Sequence, residues 1–315
     1  MRVSLPGAFF RAAVDSAQVL EVLSSKLNYR GELAGTKNLP LTGVCDSRKG
    51  GHRQLIFTSR GDYSGAGKLT ESLILIDELP AELECGSNQF LRVSDPRAAF
   101  IDVLEWFISL IGLDAHFPRF SELATISPEA TVSESASIEP GVEIGPGCFV
   151  GSGAVIKTGT RIGENTIIRE NTVIGSDGVT VYRALDGRLL KFPHVGGVEI
   201  GKGAEIGANT VVAGGILAPT CIGRDVVIGN LCNVGHGAVV GDGVWMSVGS
   251  LIGGHTVIQS GSTIAMGVVI RDNLVIGEGA SLGMGSVIVK SVEAGYSMFG
   301  NPAKRMPRLK TGPRR

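Results

Sequence analysis

Aliphatic side chains recur at every sixth position through the second half of the chain, separated mainly by glycine and polar residues. The repeat begins at Ile126, ends at Ile288, and is interrupted twice, after Ile174 and after Val212. A period of six matches neither the 3.6-residue period of a helix nor the two-residue period of a strand. It predicts a chain that turns a corner every six residues, so that three short sides form one coil.

The positions that share this spacing show how far the coils extend. They are Ile126, Val132, Ile138, Ile144, Val150, Ile156, Ile162, Ile168, Ile174, Ile200, Ile206, Val212, Ile222, Ile228, Val234, Val240, Met246, Ile252, Ile258, Ile264, Ile270, Ile276, Leu282 and Ile288. These 24 sides make eight coils, and a coil spacing of about 4.8 Å predicts a prism about 35 to 40 Å long. We therefore predict a mainly-β fold, a left-handed parallel β-helix of hexapeptide repeats.

Two segments leave the repeat and are predicted to form loops on this scaffold. The longer one runs from Ser176 to Val198, and the shorter one runs from Ala213 to Thr220. Because loops on a rigid repeat scaffold tend to carry function, both loops are candidates for a functional role.

The residues before the repeat predict a small α/β domain. A helix is expected over 16–27, strands are expected over 54–59 and 72–77, and a second helix should continue to about Gly112. The start of that helix is marked by Ser94-Asp95-Pro96, a side-chain cap followed by proline in the first turn.

Three regions follow from these patterns. We expect an α/β domain over 1–118, a β-helix over 124–292 and a basic C-terminal tail over 293–315, with a linker over 114–122. The tail is either a solvated terminus or a segment that attracts the phosphates of a carrier or coenzyme.

The composition argues against several classes of function. The 29 Lys and Arg residues nearly balance the 30 Asp and Glu residues, so net charge does not favour a nucleic-acid partner. Five cysteines without a Cys-x-x-Cys pair argue against a disulfide framework and favour the cytoplasm. The first 13 residues lack the apolar run of a signal peptide, and no apolar stretch is long enough to predict a membrane span.

His236 is the leading candidate for chemistry because glycines flank it and it follows the inward Val234 by two positions. Its side chain should therefore point away from the prism. A neutral imidazole is the usual general base near neutral pH. An 18-residue coil stacks His236, Gly254 and Asp272 in one column, where the Gly254 N–H is a candidate oxyanion donor. Asp272 is expected about 9 to 10 Å from His236, at two sheet spacings, and is not assigned a role.

A metal site is not predicted. His236 and His255 are 19 residues apart and therefore offset by one position on adjacent coils. Alternating side-chain directions then disfavour shared ligation of zinc.

From Val173 to Lys304 the chain resembles the UDP-3-O-acylglucosamine N-acyltransferases of lipid A synthesis. The matching segments are Val-Ile-Gly-Ser-Asp-Gly at 173–178, Lys-Phe-Pro-His-Val-Gly-Gly-Val at 191–198 and Ile-Gly-Ala-Asn-Thr at 206–210. In the N-terminal region, residues 55–63 resemble that family's uridine-binding strand and turn.

The resemblance implies a homotrimer that acylates the amine of a nucleotide-linked amino sugar, with acyl carrier protein or coenzyme A as thioester carrier and no permanently bound cofactor. It implies that His236 is the general base and that Gly254 supplies the oxyanion donor. Substrate contacts are expected from Tyr63, Phe57, Asn230, Asn233, His194 and Asn273. Donor contacts are expected from Met284, Gly285, Asn301 and Lys304.

The chain departs from the family in ways that leave alternatives open. The family's Asp-Arg-Gly-Ala-Leu run is Ala-Gly-Gly-Ile-Leu at 213–217, its second active-site histidine falls at Asn273, and its long C-terminal helix has no counterpart. Residues 299–304 instead resemble the ending of coenzyme-A-using hexapeptide acyltransferases. An acetyl-coenzyme-A sugar acetyltransferase and a non-catalytic trimeric scaffold are the two other hypotheses.

Overall fold

The computed structural model describes residues 8–35, 38–45, 50–58, 68–79, 85–111 and 123–306. The chain forms two compact units, of which the first comprises 1–122, 179–195 and 216–218, and the second comprises 123–178, 196–215 and 219–315. These units differ from the regions predicted from sequence, because parts of both interruptions belong to the first unit. The second unit also continues through residues 293–306, which were expected to lie in a tail.

The first unit contains a six-stranded sheet with the order β1-β3-β5-β7-β8-β2. Its elements are β1 (Ala8–Asp15), α1 (Ser16–Glu21) followed by a π-helical turn (Val22–Lys26), β2 (Glu32–Ala34), β3 (Pro40–Val44), β4 (Gly51–His52), β5 (Gln54–Phe57), β6 (Leu69–Thr70), β7 (Leu73–Ile76), β8 (Gln89–Arg92) and α2 (Pro96–Ile111). The predicted helices and strands of this region are therefore confirmed, while the linker over 114–122 lies outside the described residues.

Helix α2 begins as its cap sequence predicts. The Ala98 N–H donates to Asp95 Oδ1 at 3.0 Å, which satisfies one of the backbone donors that a helix start leaves open. Phe100 and Leu104 of this helix are fully buried in the core of the first unit.

The second unit is a parallel β-helix whose described part contains 24 hexad strands. In chain order they are β9 (Thr125–Ile126), β10 (Thr131–Val132), β11 (Ser137–Ile138), β12 (Glu143–Ile144), β13 (Phe149–Val150), β14 (Val155–Ile156), β15 (Thr160–Ile162), β16 (Ile167–Ile168), β17 (Val173–Ser176), β20 (Val198–Ile200), β21 (Glu205–Ile206), β22 (Val211–Ala213), β23 (Thr220–Ile222), β24 (Val227–Ile228), β25 (Asn233–Val234), β26 (Val239–Val240), β27 (Trp245–Met246), β28 (Leu251–Ile252), β29 (Val257–Ile258), β30 (Thr263–Ile264), β31 (Val269–Ile270), β32 (Val275–Ile276), β33 (Ser281–Leu282) and β34 (Val287–Ile288).

Each hexad strand pairs in parallel with the hexad strand three positions later, and this pairing produces three sheets. The first sheet starts with β9, the second with β10 and the third with β11. Val234 pairs with Ile252, and Ile252 pairs with Ile270, so the 18-residue coil predicted from the sequence is confirmed. These inward side chains are almost fully buried, and each contributes about 1.5–3 kcal/mol of apolar burial. Beyond the last coil, β35 (Ser297–Gly300) and β36 (Ala303–Arg305) form a hairpin that extends the second sheet.

The longer interruption contains an antiparallel hairpin that the sequence pattern did not predict. Its strands are β18 (Val181–Arg183) and β19 (Leu189–Lys191), and both belong to the first unit. Leu190 and Phe192 are buried in the core of that unit. No helix within the described residues is long and apolar enough to cross a membrane.

Candidate active site

His236 lies in the turn that joins the third sheet to the first sheet. We call the equivalent turns at 235–238, 253–256 and 271–274 the His236 corner. Val234 points into the prism and is fully buried, and the chain then turns through Gly237, whose φ of +64° lies in the left-handed region. The Gly237 N–H donates to Thr220 Oγ1 at 2.8 Å. This bond joins the turn that carries His236 to the end of the shorter interruption.

The imidazole of His236 lies directly against the backbone of Gly254, one coil further along. A Cβ atom at position 254 would come within 2.5 Å of His236 Cε1 and 2.6 Å of His236 Nε2. Gly254 is therefore required for this placement of the ring. The Gly254 N–H donates to no acceptor among the described residues, which leaves it available to a developing oxyanion.

Two influences act on the pKa of His236. Burial lowers the pKa below its ordinary value, and the carboxylate of Asp272 opposes this by a smaller electrostatic effect. The result favours the neutral imidazole that a general base requires. Asp272 in turn accepts a hydrogen bond from Asn273 Nδ2 at 2.6 Å, so the amide of Asn273 is directed toward Asp272.

The ring of His255 contacts the ring of His236, with centroids 4.9 Å apart and planes at 78°. The alternation of side chains expected for adjacent strands does not hold here, because both residues lie in turns and His255 has a φ of +55°. Strand alternation therefore does not predict this contact between the two rings. Among the described residues, no group of three or more His, Cys, Asp or Glu side chains is arranged to hold a metal ion.

Both interruptions leave the β-helix at the corner that carries His236. The longer one follows β17 and the shorter one follows β22, and both are strands of the third sheet. Their bases are tied together, because the Gly196 N–H donates to the Gly215 carbonyl and the Gly215 N–H donates to the Gly197 carbonyl, each at 2.9 Å. The corner therefore combines a candidate base, a candidate oxyanion donor and the ends of two loops.

The other substrate candidates are dispersed. Asn230 lies one corner earlier, where its Oδ1 accepts from the Ala208 N–H at 2.8 Å, and Asn233 is exposed on the outer face of β25. His194 is half-buried in the first unit. Phe57 contacts the rings of Phe100 and Phe192, with centroids 4.9 and 6.0 Å away.

The structure does not describe Tyr63. Its predicted contact with uridine therefore stays a prediction, and the contacts of Phe57 show only that this ring is part of an aromatic cluster.

The donor candidates occupy two places. Met284 and Gly285 lie in the turns that join the second sheet to the third sheet, at 229–232, 247–250, 265–268 and 283–286, which we call the Met284 corner. Met284 is 63% exposed, and Met266 and Val248 lie in equivalent positions on the preceding coils and are also exposed. Asn301 and Lys304 are exposed in the β35–β36 hairpin, where Lys304 pairs with Phe299.

Comparison with solved structures gives matches of low similarity. A UDP-N-acetylglucosamine acyltransferase of Francisella novicida is 20% identical over 59% of this chain and 68% of its own chain, with a TM-score of 0.48. A structure described as a putative acetyltransferase of Bacillus cereus is 19% identical over 60% of this chain and 84% of its own, with a TM-score of 0.28.

Comparison with sequence families gives local matches. The family model for bacterial transferase hexapeptide, six repeats, matches residues 141–176. A UDP-3-O-acylglucosamine N-acyltransferase of Shewanella denitrificans is 43% identical over 82 residues, which are 26% of this chain. The match spans 24% of the length of that relative. Over these 82 residues, the resemblance to UDP-3-O-acylglucosamine N-acyltransferases is confirmed.

Proposed function

We propose that this protein is an acyltransferase that moves an acyl group from a thioester donor to the amine of a nucleotide-linked amino sugar. The observation that carries the proposal is the imidazole of His236 lying against the backbone of Gly254. A partly buried imidazole next to a glycine whose N–H has no acceptor among the described residues suits direct acyl transfer, because the reaction needs a base for the nucleophile and a donor for the oxyanion.

The proposed reaction proceeds without a covalent enzyme intermediate. The amine nitrogen of the sugar attacks the thioester carbonyl carbon while His236 accepts a proton from that nitrogen. The Gly254 N–H stabilises the negative charge that forms on the carbonyl oxygen. The C–S bond then breaks, the amide is formed, and the imidazolium of His236 gives its proton to the departing thiolate, which returns the imidazole to its neutral form.

The acyl chain is assigned to the Met284 corner. Val248, Met266 and Met284 form a column of exposed apolar side chains on consecutive coils, and such a surface is unfavourable in water unless a ligand or partner covers it. Acyl carrier protein and coenzyme A both deliver an acyl chain as a thioester. The resemblance assigns the nucleotide to Tyr63 and Phe57, and the sugar to Asn230, Asn233, His194 and Asn273.

The test is thioester cleavage that depends on the sugar. Purified protein is incubated with a UDP-linked 3-O-acylglucosamine and either an acyl carrier protein thioester or a coenzyme A thioester, and the free thiol is measured. His236→Ala should lower kcat by about 10²–10⁴-fold, which is the usual contribution of a general base. His52→Ala is the matched control, because His52 is an exposed histidine of the first unit.

Gly254→Ala provides an independent check of the same geometry. The new Cβ would displace the imidazole, so the variant should lose activity while keeping its fold. In the His236→Ala background, the same substitution should have a much smaller effect, because the displaced ring is already absent. A folded His236→Ala protein with the full transfer rate would refute the proposal. Thiol release only from acetyl-coenzyme A would favour the sugar acetyltransferase, and no release from any donor would favour the scaffold.

A further inference from the structure

His255 occupies a backbone conformation that side chains adopt rarely. Its φ is +55°, whereas the equivalent turn position is Gly237 on the preceding coil and Asn273 on the next coil. Glycine enters the left-handed region freely, and asparagine, aspartate and histidine enter it more readily than other side chains. The turn therefore accepts a histidine at position 255, and the ring lies in contact with that of His236.

The two histidines and their two neighbouring glycines pack reciprocally. His236 lies against Gly254, which precedes His255, while a Cβ at Gly237, which follows His236, would come within 2.6 Å of His255 Nδ1 and 2.8 Å of His255 Cε1. The His255 N–H donates to the His236 carbonyl at 2.9 Å. Each ring therefore occupies space that a glycine beside the other histidine leaves open.

We propose that His255 is a positioning residue for His236, and that its ring holds the imidazole of His236 against Gly254 and shields it from water. The inference rests on the proposed function, in which His236 is the base. The carboxylate of Asp272 is the other titratable group that acts on His236, and His255 itself is the nearest titratable ring.

The physical consequence is a change in the protonation of His236 when the ring is removed. Burial is the main cause that lowers the pKa of His236. A smaller side chain at position 255 would admit water to the imidazole, and hydration stabilises its charged form. The pKa of His236 should therefore rise toward its ordinary value, and the ring should be less well oriented for proton transfer.

The experiment is an NMR titration of the Cε1–H signals in protein labelled at histidine, which contains only five histidines. In His255→Asn, which keeps a residue suited to positive φ, we expect the His236 titration to move to higher pH. In the transfer assay, we expect kcat to fall about tenfold or more with little change in KM, as for a group that acts in the transition state.

A second variant keeps the proposal testable if His255→Asn does not fold. Gly237→Ala displaces the His255 ring without removing it, so the His236 titration should move in the same direction. Gly243→Ala is the matched control, because Gly243 has the same φ of +64° and a Cβ there would meet nothing within 4 Å. The strain of alanine in the left-handed region is then common to both variants.

The outcomes separate this inference from the proposed function. A His236 titration that moves in His255→Asn or Gly237→Ala, and not in Gly243→Ala, supports the positioning role even if no sugar substrate is acylated. A His236 titration curve that superposes on that of the unmodified protein in each folded variant would overturn it, whatever the transfer rate.

Discussion

Gly254 differs from most turn glycines of the β-helix in what a side chain at its position would meet. At Gly145 and Gly229 an added Cβ would collide with the backbone of the next coil, and at Gly261 it would meet nothing within 4 Å. At Gly254 and Gly237 the nearest atoms belong to histidine rings. The first kind of glycine maintains the coil spacing, whereas these two make room for the candidate site.

The pH dependence of transfer should follow from the setting of His236. Because its pKa is lowered below the ordinary value of 6.5, the acidic limb of the kcat/KM profile should lie below pH 6.5. Asp272→Asn removes the charge that raises this pKa, so the limb should move to still lower pH. Asp242→Asn is the control, since Asp242 pairs with Arg224 at a different corner. An equal shift in both variants would contradict a local effect of Asp272.

The free energy of unfolding should also decrease as the pH falls. A histidine with a depressed pKa in the folded state contributes stability above its unfolded pKa of about 6.5. This contribution is lost as the pH falls through the lower folded-state value, because the unfolded chain then binds the proton more readily.

At the scale of elements, the β18–β19 hairpin is held to the first unit by polar groups at two places. Arg188 donates to both carboxylate oxygens of Asp102, at 3.2 and 2.9 Å, and Tyr29 donates to the same carboxylate at 2.6 Å. At the other place, Asp95 accepts from the Tyr182 hydroxyl at 3.0 Å. Asp102 is almost fully buried, so loss of one of these partners would leave a buried polar atom without a hydrogen bond.

Removal of Arg188 should destabilise the first unit. Arg188→Ala leaves the buried Asp102 carboxylate with one fewer charged partner, and we expect a loss of about 1–3 kcal/mol in the free energy of unfolding. Arg183→Ala on the same hairpin is the control, because Arg183 is exposed and donates only to the Gly187 carbonyl among the described residues. Urea denaturation followed by fluorescence measures both, and equal midpoints would contradict the role of Arg188.

The limits of prediction from sequence are clearest at this scale. The hexads could be predicted because each inward residue contacts residues 18 positions away in the same pattern. The hairpin could not, because its partners Asp95 and Asp102 are more than 80 residues distant and leave no periodic signal. His236 and Gly254 followed from the coil length, whereas His255 was missed because strand alternation does not extend into turns.

At the scale of the whole molecule, the exposed apolar side chains of the β-helix are unevenly distributed. Val227 and Trp245 lie on the outer face of the second sheet, and Leu251 and Val269 lie on the outer face of the third sheet. These two faces meet at the Met284 corner, which is itself apolar. In a closed trimer each copy of the chain contacts two others. Two apolar faces that meet at one corner are suited to provide these two contacts.

We therefore expect sedimentation equilibrium to give three times the 32.8 kDa mass of one chain. Leu251→Glu should lower this mass, because it places a charge on the apolar face. Glu143→Gln, on the outer face of the first sheet, is the control and should leave the mass unchanged. A monomer at micromolar concentration would contradict the expected trimer.

The division of the first unit among three chain segments has a consequence for its synthesis. A ribosome that has completed residue 122 has made the sheet and α2, but not Leu190, Phe192, Ile216 and Leu217, which belong to the same core. At 5 to 20 residues per second, residue 218 follows about 5 to 19 s later. Several coils of the β-helix are synthesised during that interval. The core of the first unit can therefore be completed only after the later segments have been made.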